Sequence, residues 1–293
     1  MRTFDYSDAF SRNIGWVTEA EQVRLRNSRV AIAGLGGVGG VHLLTLARLG
    51  IGKFNIADFD VFDLVNFNRQ VGATMSSLDR PKIDVLTEML RDINPEVELC
   101  VFPNGVQPDN IDALLKGVDV YVDGLDFFVF NARRQTFAAC EKSGIPVVTA
   151  APLGLGTALL VFGPGGMSFE DYFGFAGCNG DEFDMAIRFL VGLSPGMLQR
   201  GYVADMSRVN LGERRGPSSI AACQLCAGVA AVETLKLLLN RGGVKLAPWG
   251  SQFDAYQMRY IRTWRPGGYK NPLQRLMHYL VRSQLSKMGQ GRQ

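Results

Sequence analysis

The sequence predicts an α/β fold: a doubly wound, Rossmann-like, mostly parallel sheet with a late antiparallel portion and an N-terminal helical arm. Three observations carry that expectation. The apolar run Val30-Ala31-Ile32-Ala33 breaks into Gly34-Leu35-Gly36-Gly37-Val38-Gly39, a strand-to-helix turn of the kind that receives phosphates. Short apolar runs then alternate with helical patterns as far as Phe162, the order of elements that builds a parallel sheet. Near the end, residues 252–264 alternate apolar and polar side chains and read as one late antiparallel strand.

In chain order, residues 1–28 give a polar and aromatic lead through Phe10-Ser11-Arg12-Asn13-Ile14-Gly15, then a helix from Thr18 to Arg26 in which Thr18 and Glu21 have capping-box spacing. The glycines after Ala33 are needed because the tight turn demands unusual φ/ψ and because a Cβ would keep the backbone away from a pyrophosphate or triphosphate. Val41 to Leu49 is helical in pattern and ends at Gly50, so free N–H groups and the positive dipole end face the same pocket. A second strand, Lys53 to Ala57, delivers Asp58, placed to accept hydrogen bonds from ribose hydroxyls. NAD, FAD and ATP proteins all share such a site.

The loop behind it, DFDVFDLVNFNRQ over residues 58–70, is more specific: Asn66 offers a neutral amide and Arg69 a planar fork of donors, both suited to phosphate oxygens. GxGGxG, then DxD, then NxxRQ resembles the ubiquitin-activating-enzyme-like family that includes the ThiF, MoeB and HesA proteins, and the likeness runs from Arg12 to about Arg265. The resemblance implies ATP- and Mg²⁺-dependent adenylation of a C-terminal carboxylate, with Gly34, Gly36, Gly37 and Gly39 lining the phosphate turn, Asp58 holding the ribose, and Asn66 and Arg69 meeting phosphates. It also implies a homodimer in which Arg12 of one protomer completes the ATP site of its partner, although Asn13 stands where the family usually has Gln. From the residues alone, Arg12 is a solvated arm residue.

Asp79-Arg80-Pro81-Lys82 opens a helix through Asp92, with Ile83, Leu86, Leu90 and Ile93 at helical spacing and Asn94-Pro95 as its stop. Lys82 in the first turn opposes the helix dipole at a cost of about 0.3–1 kcal/mol, which an anion would offset. The resemblance makes Lys82 the lysine that contacts ATP phosphates; the plain alternative is a surface lysine beside Asp79 and Asp84. Val97 to Phe102 reads as a strand, Ile111 to Leu115 as a short helix, and Val118 to Val122 as a strand ending in Asp123-Gly-Leu-Asp126. Carboxylates just past a parallel strand lie where open α/β sheets bind ligands. By resemblance Asp126 is the aspartate that binds Mg²⁺, an ion that takes one or two carboxylates and leaves room for ATP oxygens. Asp123 reads as a cap on the following turn. The helix Asn131 to Ser143 and the strands Pro146 to Ala150 and Thr157 to Phe162 complete the sheet.

Residues 163–217 break the pattern, glycine, proline and aromatics alternating with short helical pieces such as Glu182 to Val191, and read as a binding loop or lid, which the resemblance places beside the family's acyl-acceptor site. The family frequently carries a catalytic cysteine and a first zinc pair there; this chain has Cys178 alone, and none from Asp205 to Ser219. Cys223-Gln-Leu-Cys226 lies inside a helical run from Ser219 to Leu239 and lacks a partner pair near Arg265-Pro-Gly-Gly268, so both read as packed thiols and zinc is not expected. The two histidines, His42 and His278, are too few for a metal site or triad; His42 reads as a packed or capping residue, with a phosphate contact as the alternative. The tail from Asn271 to Lys287 puts Leu273, Leu276, Met277, Leu280 and Val281 on one face and Arg275, Arg282 and Lys287 elsewhere, a helix docked on the body or, alternatively, one for a partner or membrane surface.

At 293 residues and 47% apolar content the chain can bury one α/β core. We expect a single ThiF-type adenylation domain, with an arm at 1–28, a nucleotide-binding core at 29–162, a crossover and substrate segment at 163–217, the rest of the core at 218–269 and a helical tail at 270–293. The net charge of +3 leaves no strong nucleic-acid footprint, though a tRNA substrate stays open. Five scattered cysteines, no charged-then-apolar leader and no uninterrupted apolar segment of spanning length point to a cytoplasmic protein that engages no membrane. The expected reaction activates a carboxylate, the C-terminus of a small ubiquitin-like carrier protein or a peptide, as an acyl-adenylate with release of pyrophosphate. An NAD-dependent oxidoreductase would account for the glycine turn and Asp58 but not for Asn66, Arg69, Lys82 and Asp126. A nucleotide-binding scaffold without turnover would account for every binding residue.

Overall fold

Val30, Ala31, Ile32 and Ala33 are fully buried and form β1 (Arg29–Ala33), about which the strands assemble on both sides. The computed structural model describes residues 3–214 and 216–290, the last five as backbone alone, so the side chain of Lys287 lies outside the described residues. One flank of β1 carries β2 (Lys53–Ala57) and then β3 (Glu98–Phe102). The other carries β4 (Val120–Asp123), β5 (Val147–Leu153), β6 (Gly156–Phe162), β7 (Trp249–Asp254) and β8 (Arg259–Trp264), giving one eight-stranded sheet of order β3-β2-β1-β4-β5-β6-β7-β8. Pairings among β1 to β5 are parallel, and those from β5 to β8 are antiparallel. The fold class is the one the sequence predicts.

Helices cover both faces because successive strand residues point to opposite sides. Val30, Ile32, Val122, Val148 and Val161 pack against α3 (Gly37–Arg48), α4 (Lys82–Ile93) and α9 (Ile220–Leu239). Ala31, Ala33, Tyr121 and Phe162 pack against α5 (Ile111–Leu114), α6 (Phe130–Lys142), α7 (Phe169–Phe173) and α8 (Glu182–Leu193). The arm holds α1 (Tyr6–Phe10) and α2 (Glu19–Asn27), where Glu21 N donates to Thr18 Oγ1 at 3.2 Å and Thr18 N to Glu21 Oε2 at 2.9 Å, the expected capping box. Among the described residues α9 is the one helix long and apolar enough to cross a membrane; it buries Cys226, Ala230 and Thr234 in this core.

Four expectations are corrected. Helix α3 begins at Gly37, four residues before Val41, because the second half of the glycine run is already helical. Residues 252–264 are two strands joined at a turn in which Met258 has φ 49° and Gln257 N donates to Asp254 Oδ1 at 2.9 Å. Alternation simply continues across that turn. Part of the segment 163–217 is core: Phe169, Tyr172, Phe173 and Phe175 are buried, and the rings of Phe173 and Phe189 lie 5.0 Å apart. Finally, α10 (Pro272–Gln290) turns Gln274, His278 and Val281 inward and leaves Leu273, Leu276 and Leu280 exposed, because buried Asp184 takes His278 Nε2 at 2.8 Å and Arg282 Nη1 at 2.6 Å.

Candidate nucleotide site

Strand register gathers the site. Ala33 pairs with Ala57 on one side and with Asp123 on the other, so Gly34, Asp58 and Gly124 emerge together where the strand order reverses, the place open α/β sheets bind ligands. Gly34 has φ 81°, and a Cβ there would meet Gly124 O at 2.3 Å, so the turn closes only with glycine. The free N–H groups of the first turn of α3 are thereby left facing outward over the strand ends.

Asp58 is buried and its carboxylate is held by backbone: Leu35 N donates to Oδ2 at 2.5 Å and Asp60 N to Oδ1 at 2.8 Å. Burial raises its pKa, opposed by those two N–H groups and by the Lys82 ammonium. A carboxylate offers about four lone-pair positions, so these two N–H groups do not exhaust its accepting capacity. Lys82 opens α4 and is only 5% exposed. Its Nζ lies 3.0 Å from Asp60 Oδ2 and its N donates to Asp60 O at 2.9 Å. It is therefore no surface lysine, and Asp60 is the anion that offsets its charge at the helix start.

Asn66 and Arg69 belong to a turn wound on itself. Asn66 is buried, and its Oδ1 accepts from Asp63 N at 3.0 Å, which leaves the Nδ2 amide as its donor group. Arg69 lays its stem over the glycine turn, with Cγ 3.6 Å from where a Cβ of Gly37 would stand, and Nη1 donates to Val65 O at 2.8 Å and Asn68 Oδ1 at 3.0 Å. Gln70 is buried beside Gly36, and its Oε1 has no hydrogen-bond partner among the described residues. Its spacing assigns it no role, although it ends the NxxRQ motif. Asp126 is exposed, with Oδ1 accepting from Phe128 N at 3.1 Å. Among the described residues no group of three or more His, Cys, Asp or Glu could hold a metal. A single accessible carboxylate is compatible with Mg²⁺, which would take its remaining ligands from phosphate oxygens and waters. Asp123 does cap the next turn, through Leu125 N at 3.2 Å, and is also paired with buried Arg133 at 2.9 Å, a partner the sequence did not reveal.

A family model described as ThiF family matches residues 10–276. The chain belongs to the ThiF family. It is 34% identical over 143 residues to the sulfur carrier protein ThiS adenylyltransferase of Escherichia coli K12, covering 49% of this chain and 56% of that one. It is 32% identical over 142 residues to the tRNA threonylcarbamoyladenosine dehydratase of Bacillus subtilis 168, covering 48% and 55%. The chain thus spans about half the length of these ThiF-family relatives. In fold it is similar to the crystal structure of E. coli MccB with ATP, with a TM-score of 0.64 and 18% identity over 89% of this chain and 73% of that one.

Within one ThiF-family chain the arm cannot reach this site. Asn13 Nδ2 donates to Leu49 O at 3.2 Å and Gln22 Nε2 to the same oxygen at 3.1 Å, which fixes the arm at the far end of α3. A helix of 12 residues is about 18 Å long, well beyond an arginine's reach, and Arg12 is exposed there. The four buried cysteines are not activated nucleophiles: burial pushes Cys140, Cys178 and Cys226 up to about 12 and Cys223 up to about 11, despite Arg69 nearby. Cys223 packs with Val41 and Ala227, and Cys226 with the main core, as helix-packing thiols do. His42 is fully buried, its two ring nitrogens have no partner among the described residues, and burial lowers its pKa to about 4.

Proposed function

We propose that the protein is an ATP-dependent adenylyltransferase that activates a substrate carboxylate as an acyl-adenylate. The observation that carries this reading is the convergence around one glycine turn of backbone-held Asp58, buried Lys82, Arg69 over Gly37 and exposed Asp126. A carboxylate oxygen attacks the α-phosphorus of ATP; the new O–P bond forms as the bond to the oxygen bridging the β-phosphorus breaks, and pyrophosphate leaves with that electron pair. No proton moves at the reacting atoms, so the chain needs no general base. It supplies position and positive charge. Asp58 holds the ribose, the amides behind Gly34, Gly36, Gly37 and Gly39 receive phosphate oxygens, and Lys82, Arg69 and Asn66 Nδ2 hold the departing side. Asp126 would hold Mg²⁺, which when bound neutralises phosphate oxygens.

The working unit is a homodimer in which Arg12 serves its partner's site. Beside the site Phe59, Leu64, Val65 and Phe67 are exposed, and the arm exposes Ile14 and leaves Trp16 85% accessible. Packing one protomer's arm on its partner's loop would cover both apolar patches and deliver the missing guanidinium. The substrate is the C-terminal carboxylate of a small carrier protein or peptide in the cytoplasm. The chain's modest charge supports that choice over tRNA, while the names of its relatives include both a carrier-protein adenylyltransferase and tRNA dehydratases. Trapping tests it: with ATP, cell extract and hydroxylamine, the enzyme should convert the acceptor to a C-terminal hydroxamate seen by mass spectrometry. A product carrying the adenylate on a hydroxyl or on RNA would overturn the assigned substrate.

A further inference from the structure

Arg133 is 2% exposed and the largest of the fully buried side chains. Nearly all of its donors serve one loop. Nη2 donates to Leu125 O at 2.7 Å and Asp126 O at 3.0 Å, Nη1 to Phe127 O and Val129 O at 3.4 Å each, and Nε to Asp123 Oδ2 at 2.9 Å. Asp123 is itself fixed by Thr149 Oγ1 at 2.9 Å and by Leu125 N at 3.2 Å. The surroundings do not ask for a charge: the guanidinium lies over the Phe189 ring at 4.7 Å, and Phe130 and Phe137 belong to the same apolar cluster. A well-packed apolar side chain in place of a buried ion pair is often neutral or stabilising, so core stability alone does not select an arginine here. What the arginine adds is a fixed path for the backbone from Leu125 to Val129, the turn from which the exposed carboxylate of Asp126 projects.

We propose that Arg133 is a positioning residue that sets Asp126 for Mg²⁺·ATP; this rests on the adenylyltransferase reading and on Asp126 as the metal ligand. Groups that orient a ligating carboxylate change metal affinity without touching the metal. Lysine at position 133 keeps a charge for Asp123 but cannot fork to the carbonyls of Leu125 and Asp126.

Mn²⁺ affinity in the presence of a non-hydrolysable ATP analogue, read by electron paramagnetic resonance, tests this, with metal-free AMP affinity as the internal control. Arg133→Lys should bind AMP as the wild type does and bind Mn²⁺ about tenfold more weakly, the lower end of the loss usual for groups that orient metal ligands. Asp126→Asn should lose at least as much. Should Arg133→Lys fail to fold, Thr149→Val, which removes one of the bonds anchoring Asp123, should shift Mn²⁺ affinity in the same direction. Wild-type Mn²⁺ affinity in a folded Arg133→Lys or Thr149→Val protein, with Asp126→Asn impaired, would overturn the role of Arg133 alone. Wild-type affinity in Asp126→Asn would instead remove Asp126 as the ligand.

Discussion

Lys82 Nζ stands 3.0 Å from Asp60 Oδ2, and the lysine is buried while the aspartate is half-exposed. The ammonium thus has its counter-charge on the solvent side, where phosphates would approach. Asp60→Asn should lower the stability of the ligand-free protein by roughly 1–3 kcal/mol, because a buried cation loses its partner. ATP should then stabilise the variant more than it stabilises the wild type, since its phosphates supply the missing charge. Urea denaturation with and without ATP measures both; equal stabilisation by ATP in the two proteins would show that Lys82 does not meet the nucleotide.

Acid should find a weak point at His42. Its folded pKa of about 4 lies below the ordinary 6.5, so between those values the unfolded chain binds the extra proton and stability falls as pH drops. From pH 7 to pH 5 the wild type should lose about 2 kcal/mol more than His42→Leu, in which no imidazole titrates. Parallel pH profiles for the two proteins would mean that the ring has a partner after all.

Periodicity and punctuation made the nucleotide half readable: the glycine turn, Asp58 and the strand ending before Asp126 stand where the pattern put them. Relations between distant residues were not readable that way. Asp60 and Lys82 meet because residues 60–62 pair with 79–82, and Arg133 meets Asp123 across the entry to α6, and neither spacing has a local signature. The helix Glu182 to Val191 is readable and stands as α8, whereas the aromatic core around α7 reads as a loop because its buried rings follow no single period. The turn at 255–258 contains no glycine or proline to mark it.

Purified protein should contain no stoichiometric zinc, because Cys223 and Cys226 are packed on α9 and the four buried thiols resist deprotonation. Elemental analysis near one zinc per chain would contradict that reading of the pair.

The trans role of Arg12 predicts complementation. Arg12→Ala and Asp126→Ala should each be inactive, and mixed after subunit exchange they should regain activity, because one site of the heterodimer keeps both residues. By analogy with trans arginines in phosphoryl transfer the single loss should be large, on the order of 10³-fold or more. Verified heterodimers that stay inactive, or an active wild type that sediments as a monomer, would refute it.

ATP–pyrophosphate exchange is the most direct test of adenylation itself. With the acceptor recovered from extract, labelled pyrophosphate should enter ATP only when acceptor is present, and folded Lys82→Ala, verified by circular dichroism, should exchange at least about 10²-fold more slowly. Cleavage of ATP to ADP and phosphate without exchange, or wild-type exchange in folded Lys82→Ala, would contradict the proposed chemistry or the assignment of Lys82.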